Sequence, residues 1–402
     1  MIKRLCPGGV EWKKISEIGT VMRGTSFQKK HFTDEGTPCI HYGQIYTQYA
    51  HHVYETLSFV GEEISRSPRR AKTGALIMAT TSENIEDVGK CIVWLGEKDI
   101  IVSNDACFIQ HSLNPKYLGY LLQTDYFNAY KKKVATGTKV IRINADAVAD
   151  FVIPVPPLEI QNRIVEVLDK MTTLEAELEA ELETRKRQYE YYRSKLLTFS
   201  GIGEGVRFVR LGDLFELRNG YTPSKGNVDF WTDGTIPWFR MEDIRANGRV
   251  LNDSIQHITP SAIKGKGLFP AGSFILATTA TIGEHALLTT DSLANQRFTN
   301  LSVRKTHQKD VNIKFLYHYM FIIDEWCKKN VNSSSFASVD MSKLKEYMIP
   351  IPPLSEQQRI VSILDRFEAL TTDLQSGLPA EIEARRQQYE YYRNKLLTFE
   401  AV

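Results

Sequence analysis

The eleven residues YEYYRSKLLTF at 189–199 return as YEYYRNKLLTF at 389–399 with a single change. Agreement this close, 200 positions apart, makes the chain a tandem repeat, and any fold it adopts has to be built twice. Other segments fall into line. IPVPPLEIQNRIVEVLD (153–169) and IPIPPLSEQQRIVSILD (349–365) agree at 11 of 17 positions with an offset of 196. The same offset aligns the apolar positions of VEWKKISEIGTVMRG (10–24) and VRFVRLGDLFELRNG (206–220). Between them GALIMATTS (74–82) answers GSFILATTA (272–280), and GTPCIHYGQI (36–45) answers GTIPWFRMEDI (234–244) with one residue of slack. Each half is therefore a globular domain followed by a long terminal segment, with like ends and unlike middles. The boundaries read as 1–155 for the first domain, 156–199 for a helix, 200–205 for a linker, 206–351 for the second domain and 352–399 for a second helix.

The terminal segments carry helical periodicity. Pro156-Pro157 and Pro352-Pro353 suit a helix entry, where a missing N–H costs little. Val167, Met171, Leu174, Leu178, Leu182, Tyr189, Tyr192, Leu196 and Phe199 follow at three- and four-residue steps, which predicts one apolar stripe. Glu175, Glu179, Glu183, Arg185 and Lys186 fall off it, as a solvated face. The second copy has four extra residues near SGLP, about one turn, and Gly377 and Pro379 predict a kink or break there. Fully helical, each segment would reach ~60 Å. Two such helices in one chain can form an intramolecular antiparallel coiled coil related by a pseudo-twofold axis; a parallel intermolecular coil is the competing arrangement.

Short β-rich runs (ALIMATT, CIVWLG, SFILATT, HALLTT) between turns, with one amphipathic helix expected at 117–133 and one at 311–329, make the domains α+β. No apolar run reaches the roughly 20 residues of a membrane span and no signal-peptide core is present, so the expected location is the cytoplasm. Cys6, Cys39, Cys91, Cys107 and Cys327 are scattered without metal or disulfide spacing. There is no phosphate-binding G-x-x-x-x-G-K-S/T loop, GIGEG at 201–205 reads as a linker, and ENIEDVGK (83–90) is a poor match to a nuclease carboxylate cluster. VPPL and IPPL lack the polar first residue and aromatic fourth residue with which amino-methyltransferases hold a flipped base. No active site emerges, and no metal site.

Binding chemistry is richer. The first domain has Arg23, Lys29, Lys30 and His31 around RGTSFQKKHF, then Arg66, Arg69, Arg70 and Lys72, then Lys139 and Arg142 in GTKVIR. The second has Lys225 in RNGYTPSKGN, then Arg240, Arg245, Lys264, Lys266 and Arg297. Basic side chains in Gly-, Ser- and Thr-rich loops neutralise phosphates, and Asn, Gln, Arg and Tyr among them can meet base edges. Taken singly each is a solvated lysine or arginine; taken as corresponding loops of two domains they form a pattern.

GYTPSKGNVDFWTDGTIPWFRMEDI (220–244), the two P-x-P-P-L-x-x-Q-x-R-I-V…L-D entries and the two YEYYR-x-KLLTF ends together resemble the DNA-specificity subunit of type I restriction-modification systems, along the whole chain. The resemblance implies a non-catalytic subunit whose two target-recognition domains each read one part of a bipartite, asymmetric double-stranded DNA site across a helical spacer. It also implies two adenine-N6 methyltransferase (modification) subunits using S-adenosylmethionine and, on that core, restriction subunits using ATP and Mg²⁺. Carried over residue by residue, it gives Tyr221, Thr222, Ser224, Lys225, Arg240 and Asp243 as DNA contacts in the second domain. The first domain departs from that pattern, and Thr25, Lys29, His41, Tyr42 and Gln44 take the corresponding places. Tyr191, Arg193, Tyr391 and Arg393, off the apolar stripe, become the expected methyltransferase-docking residues. A coiled-coil assembly scaffold that never touches DNA and a stand-alone DNA-binding regulator are the rival readings.

Overall fold

A computed structural model describes residues 9–199, 205–332, 337–372 and 376–399; Cys6, the linker stretch 201–204 and Leu374, an apolar position of the second terminal segment, lie outside them. Strands of four fully buried residues lead the fold. Leu76–Ala79 and Cys91–Trp94 have no exposed side, so both faces of their sheet must be covered. Their alternate residues feed two cores. Leu76, Met78, Cys91 and Val93 pack with Tyr117, Leu118 and Phe127 on the helical side. Ile77, Ala79, Ile92 and Trp94 pack with Ile40, Ile45 and Val102 on the other. The sheet runs Gly19–Arg23, Ala106–His111, Leu76–Ala79, Cys91–Trp94, His52–Val53, antiparallel except for its last pair. A smaller sheet of Ile101–Val102, Thr37–Ile40, Ser58–Val60 and Phe32–Thr33 covers the second face.

The second domain repeats this plan. Its sheet runs Phe215–Asn219, Phe298–Val303, Phe274–Ala277, His285–Leu288, Val250–Leu251, again with one parallel pair at the end. Phe274 and Leu276 face Phe315 and Met320, whereas Ile275 and Ala277 face Phe239 and Leu293. Glu11–Lys14 with Val152–Val155, and Arg207–Arg210 with Met348–Ile351, close the two domains with matching two-stranded ribbons. The helix expected at 117–133 is two, Pro115–Leu121 and Asp125–Val134, because Thr124 caps the second and its hydroxyl also bonds back to Leu121 O at 2.7 Å. Its counterpart Ile313–Lys329 has no such cap and is continuous.

The terminal segments are helical: Leu158–Leu197, of 40 residues or ~60 Å, and Leu354–Thr372 followed by Leu378–Leu397. The break falls where Gly377 and Pro379 were expected to make one, and Pro379 sits in the new helix's first turn. Two compact units result, and they cut across the repeats: 1–180 with 380–402, and 181–379. In the first, Arg386 binds Glu175 and Glu179 at 2.9 and 3.2 Å, while Leu397 and Phe399 join Ile160, Ile164 and Leu168 in the core. In the second, Tyr189 stacks on Phe367 while Leu197 joins Ile360 and Leu364. Later residues of one helix thus meet earlier residues of the other, an antiparallel relation within each unit. Two expectations change. Val167 and Leu174 are 36% and 49% exposed, since the buried face of the helix entry is Ile160, Ile164, Val165 and Leu168, whereas Tyr192 is partly exposed and still stacks on Phe367 at 5.4 Å. Glu175 and Glu179 are partners of Arg386 rather than a free solvated face.

The repeated helix entry fastens each domain to its helix by the same bonds. Gln161 Oε1 accepts Asn114 N–H at 2.8 Å and its Nε2 donates to Pro156 O at 2.8 Å; Gln357 does the same with Asn312 and Pro352 at 2.7 Å each. Asn114 and Asn312 cap the helices they begin. Asp169 receives Lys116 Nζ and Tyr120 OH, both at 2.6 Å; Asp365 receives Lys314 Nζ at 2.6 Å and His318 Nε2 at 2.9 Å. The Q and D of the repeated motif are therefore the joint itself.

Candidate nucleic-acid interface

In each domain the first strand of the central sheet leaves it through a glycine. Gly24 N–H bonds Ala106 O at 3.0 Å and Thr25 N–H bonds Val102 O at 2.7 Å; Gly220 and Tyr221 bond Phe298 O and Ala294 O at 2.9 Å each. A Cβ at Gly24 would stand 2.2 Å from Ser103 O, and one at Gly220 2.2 Å from Asn295 O, so the main chain could not pass there with any side chain. Around these two points the structure gathers many of the basic and polar residues singled out by sequence.

In the first domain Arg23 Nε donates to Asn104 O at 3.0 Å, Thr25 Oγ1 shares a hydrogen bond with Ser67 Oγ at 2.6 Å, and Tyr42 N–H donates to Ser103 Oγ at 2.8 Å. Arg69 donates to Gly24 O and Arg70 to Ser65 O, which shapes the 66–70 loop. Arg142 arrives on a strand paired with Thr81–Ser82, and a cleft of about 330 Å³ holds Arg23 and Arg142 together with Thr80, Thr81, Thr136 and Asn144. Lys29 and Lys30 are exposed on the short 3-10 helix Lys29–His31, and Lys139 is exposed at a bend.

In the second domain Tyr221 OH accepts Lys264 N–H at 2.8 Å and donates to Ala262 O at 3.1 Å, and Tyr221 O accepts Trp238 Nε1–H at 3.0 Å. Thr222 Oγ1 bonds Gln296 Oε1, and Ser224 O accepts Trp231 Nε1–H at 3.1 Å, which leaves Lys225 exposed at the tip. Lys264, Lys266 and Arg297 are exposed; Arg240 is half-buried, 5.8 Å from the Trp238 ring.

Three expected contacts lie inside instead. His41 and Gln44 are buried: Gln44 Oε1 accepts His41 N–H at 2.9 Å, Gln44 Nε2 donates to Ser58 Oγ at 2.8 Å, and His41 Nδ1 accepts Gly43 N–H at 3.2 Å. Burial, and then the nearby Lys29 charge, push the His41 imidazole below its ordinary value. Asp243 has no exposed surface and accepts Arg240 N–H and Ile255 N–H, both at 2.6 Å. All three belong to the caps of the short helices Tyr42–Thr47 and Met241–Asn247. Sequence reading missed Thr80, Thr81 and Asn144, and it missed Arg218, whose guanidinium holds the loop bearing Lys264 and Lys266. The carbonyl partners of Arg218 lie 48 to 50 residues along the chain, so no local signal marks it.

A model of the type I restriction modification DNA specificity domain matches residues 7–184 and again 203–384. This chain belongs to that family. It is 51% identical over 204 residues to the Escherichia coli type I restriction enzyme EcoprrI specificity subunit, covering 49% of this chain and 51% of that protein. A putative type I restriction enzyme specificity subunit from Haemophilus influenzae is 31% identical over 305 residues, 72% of this chain and 74% of that one. The matches thus span about half the length of the first relative and 61% of another Escherichia coli specificity subunit that is 40% identical. In fold, the chain is similar to one in a structure of type I R-M complex assembly (TM-score 0.67, 18% identity, 97% and 98% of the two chains). It is also similar to the HsdS subunit from Thermoanaerobacter tengcongensis (TM-score 0.54, 18% identity, 99% of each). Two matches of one family model within the chain agree with the duplicated sheets.

Within this specificity-domain pair, the expected docking residues divide. Tyr191 and Tyr391 are 59% and 57% exposed, each with a lysine, Lys195 or Lys395, over its ring at 5.7 or 5.2 Å. Arg193 and Arg393 do not point away from the packed face: Arg193 lies 4.0 Å from the Phe321 ring centroid, and Arg393 lies 5.2 Å from that of Tyr389, with its Nε buried. A flat, weakly hydrated guanidinium settles on aromatic faces, which the sequence stripe alone does not register. Among the described residues no helix is long and apolar enough to cross a membrane.

Proposed function

We infer that this chain is the DNA-specificity subunit of a type I restriction-modification complex, each domain reading one part of a split double-stranded site. One observation carries the reading: the two loop ends leave their sheets through the same backbone geometry and present different side chains. Arg23, Arg142 and Thr81 face the first cleft, whereas Thr222, Lys225, Lys264 and Arg297 occupy the second end. Exposed basic residues would set the protein on phosphates, and the unlike polar ones beside them would separate one base sequence from another. His41, Gln44 and Asp243 drop out as contacts and become residues that shape the loops.

On this reading the chain supplies recognition, and the chemistry belongs to its partners: two adenine-N6 methyltransferase subunits using S-adenosylmethionine, and restriction subunits using ATP and Mg²⁺. Tyr191 and Tyr391, alike in surroundings and exposure, suit two copies of one partner better than Arg193 and Arg393 do. Co-expression with a methyltransferase subunit should yield a complex of one copy of this chain with two of the partner that binds duplex DNA. A free homodimer with no partner and no DNA affinity would favour an assembly scaffold, and a DNA-binding homodimer a stand-alone regulator.

A further inference from the structure

The basic loop of the second domain, KGKGLF at 264–269, is held within itself by one long backbone bond, Gly267 N–H to Lys264 O at 3.4 Å. Gly265 and Gly267 have φ of 60° and 80°, and a Cβ at either would meet nothing within 4 Å. Arg218, on the first strand of the central sheet, holds it from below. Its NH1 donates to Lys266 O at 2.9 Å, its NH2 donates to Leu268 O at 2.6 Å and Gly267 O at 3.4 Å, and its guanidinium lies 4.8 Å from the Phe269 ring centroid. Two residues earlier on the same strand, and so on the same face, Glu216 binds Lys266 Nζ at 2.8 Å. The Lys266 ammonium holds the Glu216 carboxyl below the usual carboxylate range. Tyr221 fixes the other end of the loop through Lys264 N–H. Arg218, Tyr221, Thr222, Lys264 and Lys266 line one open cleft of about 420 Å³.

The first domain has nothing of the kind. Its equivalent loop, placed by the matching bridges Ala71 to Ile100 and Phe269 to Ser292, is R66-S-P-R-R70, stiffened by Pro68 and by its own side-chain bonds to Ser65, Gly24 and Thr25. Position 22 there is Met22, packed against the core.

We propose that residues 264–268 form a clamp for DNA backbone phosphates, with Arg218 as the positioning residue that latches the loop and Glu216 as an internal anion that phosphate must displace from Lys266. The proposal rests on the DNA-recognition reading above. Arg218 is committed to carbonyls and reaches no phosphate itself; Lys264 and Lys266 supply the charge. Phosphate binding carries no sequence information, so the clamp sets the position of the second domain on the duplex rather than its preferred bases.

The test is the salt dependence of binding of the full chain to a mixed-sequence duplex. Replacing Lys264 and Lys266 together by alanine should lower the slope of log K against log salt by about 1.8, at about 0.9 per phosphate. Arg218→Lys keeps the charge but cannot fork to three carbonyls. It should lower the slope by a similar amount, add nothing to the double lysine variant, and leave the thermal unfolding midpoint nearly unchanged. Glu216→Gln should tighten binding about two- to fivefold, the size of an exposed ion pair, and only while Lys266 is present. A wild-type slope in the double lysine variant, with the wild-type chain still binding, would overturn the clamp and leave the DNA reading standing. A wild-type slope in Arg218→Lys beside a lowered one in the double variant would overturn the latch. No salt-dependent binding by the wild-type chain would remove the DNA reading and the clamp with it.

Discussion

The joints that fasten each domain to its helix are nearly the same bond for bond, whereas the loop ends across the sheet share a backbone path and few side chains. Gln161 and Gln357 make the same two hydrogen bonds to within 0.1 Å. Arg66–Arg70 and Lys264–Leu268 occupy equivalent places and are held by unrelated means. A buried amide with both ends satisfied has few substitutes, because any replacement leaves a donor and an acceptor unpaired away from water. A solvated loop anchored at one glycine tolerates many. The contrast separates what the chain needs in order to fold from what it is free to change in order to bind.

Breaking the joint should have the largest effect. Gln161→Ala leaves one backbone N–H and one carbonyl unpaired, and Gln357→Ala leaves one N–H and two carbonyls, because its Nε2 also donates to Asp310 O at 2.8 Å; each should lose about 2 to 5 kcal/mol in denaturant unfolding. The two losses should be similar; a large loss at one and none at the other would show that the joints are alike only in outline.

Acid should then tell the two units apart. Burial pushes His51 down to about 3, with the neighbouring His52 charge adding to it, and pushes His111 down to about 4, so both are neutral when folded. The unfolded chain takes up protons on them below about pH 6.5 and the folded chain does not, so stability is full above that pH and falls as pH drops toward the folded values. At pH 5 the loss is on the order of 2 kcal/mol for each. In the second unit His318 is lowered by burial too, opposed by Asp365. Hydrogen exchange at pH 7 and pH 5 should show the first unit losing protection more steeply; parallel losses would contradict this assignment.

Smaller effects are expected at the loop ends. Gln44→Ala and Asp243→Ala should each cost about 1 to 2 kcal/mol as lost caps and should weaken DNA binding only through that loss. Lys29→Ala and Lys225→Ala should leave stability unchanged and lower the salt slope by about 0.9 each, read by titration across salt concentrations.

The duplication, the α+β class and the terminal helices were legible in repeated motifs and apolar periodicity, whereas the division of 117–133 into two helices at Thr124 was not. The helix break was legible from Gly377 and Pro379. The loop ends were legible as places rich in Arg, Lys, Ser and Thr, and less so residue by residue. Nothing in HYGQI or RMEDI says that His41, Gln44 and Asp243 turn inward to cap a helix, since a capping side chain and a base-reading one are the same polar residue on the page. Arg193 and Arg393 were misplaced for a related reason: helical phase predicts where Cα points, while a long guanidinium side chain can reach back to an aromatic ring. Arg218 was invisible because its partners are carbonyls 48 to 50 residues away.

Mapping N6-methyladenine across a genome that expresses the complete system tests most directly whether each domain reads its own half of a split site. A gapped, asymmetric motif is predicted, and exchanging residues 1–155 for the first domain of another family member should change one half of it while leaving the other half intact. A continuous motif, or an exchange that alters both halves, would contradict the account.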